Sequence, residues 1–259
     1  AAEKGFILIC KLILGDVEEI DELFSQTRVS LETPFFLAAV HGHMEVCQMI
    51  IEKLFEKYPD DIERRESLLH LPGHSDKIAL FEAAINGHVA VCSLILAHVE
   101  DKNPKNKYGS TALHMAAMLG HLDICELIMD NIIDKNPCNK RGESPFHFAA
   151  LGGQIEVCKL FTRKIIEKNP RDQAGQTPLH FAANGGNVSV CEYIIDNNED
   201  KNPADEKGFT PLHLAAKFGH VNVCKLLLGN ITDKHPKNKD GFAPLHLAVI
   251  EGHLNVCQL

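Results

Sequence analysis

A repeat governs what this chain can fold into. The stretch from Thr210 to Leu228, T-P-L-H-L-A-A-K-F-G-H-V-N-V-C-K-L-L-L, recurs in steps of 33 residues, with copies starting at Ile78, Thr111, Ser144, Thr177 and Ala243. A fixed period of about 20 to 50 residues marks supersecondary units that cannot bury an apolar face alone and must stack. Within a unit, Thr177 or Thr210 suits a helix N-cap, and the Pro that follows suits the first helical position, which needs no amide partner. A short Ala-rich helix then runs to Gly153, Gly186 or Gly219, placed where a helix ends in a left-handed residue. A second helix follows, with Val221, Val223, Cys224 and Leu227 at helical spacing. The rest of each unit, such as 101–110, carries Asn, Pro and Gly and reads as an extended turn.

The phrase T-P-L-H-x-A-A-x-x-G-H resembles the ankyrin repeat, over almost all of the chain. The resemblance implies an all-α ankyrin-repeat solenoid of about seven to eight helix–turn–helix pairs with projecting, hairpin-like turns. The units fall at 1–29 (a degenerate copy), 30–74, 75–106, 107–139, 140–172, 173–205 and 206–238, with 239–259 cut short. Thr33 to Ile78 is 45 residues rather than 33, so 12 extra residues lie near 54–74, where a charged surface loop after Pro59 is expected. In the first unit, helices are expected over 6–14 and 17–25. The run F-I-L-I-C-K-L-I-L is too apolar to face water at the end of a stack, so self-association or another covering element is expected there. The chain does not begin with Met and stops partway through a second helix, so a longer natural protein is the expectation.

Nine cysteines raise the question of disulfides. Seven of them, from Cys47 to Cys257, share one slot of the second helix. Stacked helices lie about 8–10 Å apart, beyond the roughly 7 Å between Cα atoms that a disulfide spans. They read as buried thiols, with Cys138 alone on an exposed turn, and a cytoplasmic or nuclear, reducing compartment is expected. The net charge is −9, and 15 acidic against 8 basic residues fall in 1–77. That balance argues against nucleic acid as partner. No apolar run reaches membrane-spanning length.

The chemistry-bearing residue types are periodic rather than convergent. His114, His147, His180, His213 and His246 recur one per unit, too far apart to share an ion. The resemblance implies that these and Thr111, Thr177 and Thr210 lock the turn structurally. His70 and His74 are not read as metal ligands, and no nucleophile–base or phosphate-loop motif is present, so neither catalysis, metal nor cofactor is expected. The Lys and Asp of D-K-N-P read as solvated pairs, and its Asn (Asn103, Asn136, Asn169, Asn202) as bonding its own turn.

What remains is the face of turn tips and first helices, which the resemblance implies is concave and binds proteins. Its variable slots hold Lys105, Lys107, Tyr108, Met118, Leu119, Lys140, Arg141 and Leu151, then Phe209, Lys217, Phe218 and Phe242. Apolar residues rimmed by cations suit a protein or peptide ligand bearing acidic and apolar residues. The expectation is a non-enzymatic scaffold or, in the alternative, the regulatory array of a larger protein such as a channel, ubiquitin ligase or kinase.

Overall fold

The computed structural model describes residues 32–70 and 78–259, so the helices expected within 1–29 lie outside the described residues. Fifteen helices and no strand occur among the described residues. Two compact units emerge. The first comprises the described residues through Ala116 with Asp123–Ile133, and the second Ala117–Leu122 with Asp134–Leu259.

In the first unit, α1 (Pro34–Val40) and α2 (Met44–Lys57) form one pair, α3 (Ile62–Leu69) follows, and α4 (Ala79–Ile85) with α5 (Val89–His98) form the next. First helix packs on first helix (α1 on α4) and second on second (α2 on α5). Thr33 caps α1, its Oγ1 accepting from the Phe36 amide at 3.0 Å ahead of Pro34. Ile78 offers α4 no such cap. Helix α6 (Ala112–Leu119) ends in the second unit, and α7 (Leu122–Asn131) lies mainly in the first.

The second unit continues with α8 (Pro145–Leu151), α9 (Ile155–Lys164), α10 (Pro178–Gly185), α11 (Val188–Asn197), α12 (Pro211–Lys217), α13 (Val221–Asn230), α14 (Pro244–Ile250) and α15 (Leu254–Cys257). Two layers result: α8, α10, α12 and α14 stack in order, as do α9, α11, α13 and α15. Small side chains make the close first-helix approach possible, and Ala149, Ala150, Ala182, Ala183, Ala215 and Ala216 are buried. Gly186, at φ 75°, ends α10 in the left-handed region, and a Cβ there would meet the His220 ring at 2.6 Å. Successive turns are tied by backbone bonds of 2.9 Å, Gln173 N–H to Arg141 O, Glu206 N–H to Ala174 O, and Lys239 N–H to Lys207 O.

Three sequence expectations are corrected. The charged part of the insertion is not a loop: Asp61 Oδ1 accepts from the Arg64 amide at 2.8 Å and starts α3, whose Leu68 and Leu69 are buried. The Arg65 guanidinium lies 4.2 Å over the Phe55 ring, and Glu66 accepts from the Asp101 amide at 2.9 Å, so the insertion folds back onto its neighbours. Nor is Lys102 of the first D-K-N-P a member of a solvated pair. Lys102, with Lys168 and Lys234 in the same slot of E-K-N-P and D-K-H-P, turns its ammonium onto the last carbonyls of the preceding second helix (Leu96 and Val99, Thr162 and Ile165, Leu228 and Ile231). A cation there answers the negative end of the helix dipole. The aspartates of D-K-N-P accept from the turn, Asp101 Oδ1 from Asn103 N–H at 3.0 Å, Asp134 Oδ1 from Asn136 N–H at 3.0 Å and Asp200 Oδ1 from Asn202 N–H at 3.1 Å. Three of the turn asparagines do not accept from their own turn as expected: the Oδ1 atoms of Asn103, Asn136 and Asn202 are buried without a partner. That task falls three residues later: Asn106, Asn139, Asp172, Asp205 and Asn238 each accept two amides, two and four residues on.

Candidate partner-binding surface

The recurrent histidines are consumed in holding neighbouring repeats together. In each of Ser144–His147, Thr177–His180 and Thr210–His213, the ring Nδ1 accepts the cap residue's own amide at 3.1 Å and sits 3.0 Å from its hydroxyl. The Nε2 faces a carbonyl of the next turn, Gln176 at 3.1 Å, Phe209 at 3.0 Å and Phe242 at 3.0 Å. An acceptor on one side and a donor on the other require the neutral Nε2–H tautomer. Burial drives the His147 and His180 pKa values down to about 4 and lowers that of His213. Thr111 and His114 make the same pairing within the first unit, at 3.0 Å. His246 keeps the bond from the Ala243 amide but is exposed. The G-H histidines act likewise: His88 Nε2 bonds Val40 O, His220 Asn184 O and His253 Lys217 O, each on the previous repeat.

The slot cysteines are equally inward. Burial pushes the thiols of Cys47, Cys92, Cys125, Cys158 and Cys191 up to about 12, and Cys224 to about 11. Cys138 is exposed, and Cys257 is half-buried. Among the described residues no group of His, Cys, Asp or Glu is arranged to hold a metal ion, and no helix is long and apolar enough to cross a membrane. His74 lies outside the described residues; His70 ends α3.

In the first unit, Lys105, Lys107 and Tyr108 project from one turn, with the Lys107 ammonium 5.4 Å from the Tyr108 ring centre and that ring 65% exposed. In the second unit, Met118, Leu119, Lys140 and Arg141 are exposed and Leu151 is half-buried. Phe218 ends α12 with the Lys217 ammonium 5.5 Å from its ring centre, and Phe242 is exposed on its turn. Phe209 is half-buried, its ring 5.6 Å from that of His213. The sequence reading did not single out Leu245. Leu179 and Leu212 occupy the same motif slot and are buried, whereas Leu245 is 48% exposed and lines a hollow of about 410 Å³ with Leu212, Leu228, Val256 and Leu259.

A family model described as ankyrin repeats (3 copies) matches residues 65–139, 131–205, 147–238 and 197–259. The chain therefore belongs to the ankyrin-repeat family, whose repeats generally serve as protein–protein interaction modules. No curated protein matches it.

Proposed function

We propose that this chain is a non-enzymatic scaffold that binds a partner protein or peptide on the face formed by turn tips and first helices. One observation carries the reading. The three large aromatic rings that stay exposed among the described residues, Tyr108, Phe218 and Phe242, all lie on turns or at first-helix ends. Exposed rings beside cations supply the anchors that dominate interface energetics, while the motif Thr and His side chains are spent inside. A reducing compartment fits the buried, unpaired thiols. The regulatory array of a larger protein is the second form of the same activity.

Crosslinking and pull-down from cells of the source would compare the chain with Tyr108→Ala/Phe218→Ala and with Glu192→Ala, a control on an exposed position of α11. Partners lost with the aromatic pair and kept with the control are the expected result. Partners lost only with the α11 control would place binding on the opposite layer and reject the reading.

A further inference from the structure

The charge of the second unit's turn face is not what counting residues gives. Its turns (139–143, 171–176, 204–209 and 237–242) contain carboxylates and cations in near balance, yet the two signs are disposed differently. Glu143 Oε2 accepts from Asn139 Nδ2 at 2.7 Å, with Oε1 4.0 Å from Arg141. Asp172 Oδ1 accepts from the Ala174 and Gln176 amides. Asp205 is buried, its Oδ1 taken by the Lys207 and Phe209 amides and its Oδ2 by Gln176 Nε2. These anions are folded into the turns as internal acceptors, which dulls their outward field.

The cations point the other way. Lys140, Arg141, Lys207, Lys237 and Lys239 are exposed, against Glu206 and Asp240 as the exposed carboxylates. Arg171 is exposed as well, although its Nη1 donates to Gly175 O and Ala204 O. An outward-positive strip thus lies on a chain of net charge −9; Phe242 is exposed on its last turn, and Phe218 is exposed at the C-terminal end of α12. Complementary potentials set which partners dock and how fast.

We propose that this strip selects an extended peptide segment rich in Asp and Glu, with an aromatic or large aliphatic residue interleaved. This rests on the reading that the turn and first-helix face is where partners bind. The acidic side chains meet the outward lysines, and the apolar residue packs on Phe218 beside Lys217. Aromatic faces with a cation alongside suit that mixed chemistry better than phosphate alone.

The test selects random peptides of about 12 residues, long enough when extended to pass several turns, against the whole chain. Enriched peptides are resynthesised and measured by fluorescence anisotropy. Expected are acidic sequences with an interleaved aromatic or aliphatic residue, weakened at least tenfold by Lys207→Glu/Lys239→Glu and by added salt. Enriched peptides that are neutral or basic, or acidic ones indifferent to that variant, overturn the acidic preference. If such peptides are still lost with Phe218→Ala, the binding face itself stands. Enrichment insensitive to Phe218→Ala and to the lysine variant alike rejects both. A single-stranded oligonucleotide that competes as well as the peptides also overturns the proposal. Circular dichroism on each variant confirms that the exposed substitutions leave the fold intact.

Discussion

Acid should loosen this protein through His147 and His180. Both rings are buried, take a backbone amide on Nδ1 and give Nε2–H to the next repeat. Protonating Nδ1 would set N–H against N–H in a buried site. Their folded pKa values of about 4 lie below the ordinary histidine value of about 6.5. The unfolded chain therefore binds more protons between those two values, and stability must fall as pH falls through that window and be complete above it. At pH 5 the loss is about 2 kcal/mol per histidine, or roughly 4 kcal/mol for the pair. Urea unfolding followed by far-UV circular dichroism at about pH 7.5 and pH 5 reads it directly. The control is His147→Gln/His180→Gln, because Gln at the third helical position still serves a capping box without titrating. The control is expected to be less stable at pH 7.5 and to lose much less on acidification. Equal stability of the parent at the two pH values, or an equal loss in the control, would refute the argument.

Three further outcomes follow from the same geometry. Iodoacetamide on the native protein should label Cys138 rapidly and leave Cys47, Cys92, Cys125, Cys158, Cys191 and Cys224 unreacted until denaturant is added, as peptide mass spectrometry would show. Lys168→Met should cost about 1 kcal/mol through loss of the cation at the α9 carbonyls, less at high salt, as thermal unfolding would report. Gly186→Ala should cost about 1–2 kcal/mol from the left-handed backbone alone, with the His220 contact adding to it in the same assay.

The fold was open to reading because a stack of repeats writes its packing into a period. The Ala pairs, the Cys slot and the Thr–His pairing each announce a recurring contact, and each turns inward as that period requires. The insertion helix was hidden because an eight-residue segment with mixed charges has weak periodicity. Its signal was Asp61 ahead of Ile62, Leu68 and Leu69. The turn asparagines misled for a different reason. Asn103 and Asn106 are both good turn formers, and only the backbone path decides which one meets two amides. The lysine caps were invisible because a long side chain can reach water or its own helix end from the same position. At the surface, sequence named the exposed rings and cations but not the inward carboxylates, whose partners lie on the same turn or the next.

The central claim is that recurring polar residues hold repeat to repeat, leaving turn tips and first-helix ends to meet a partner. Hydrogen–deuterium exchange of the chain with and without a selected peptide tests it most directly. The account predicts new protection over 204–209, 237–242 and the end of α12, with α11 and α13 unchanged. Protection confined to α11 and α13, with the turns unaffected, would contradict it.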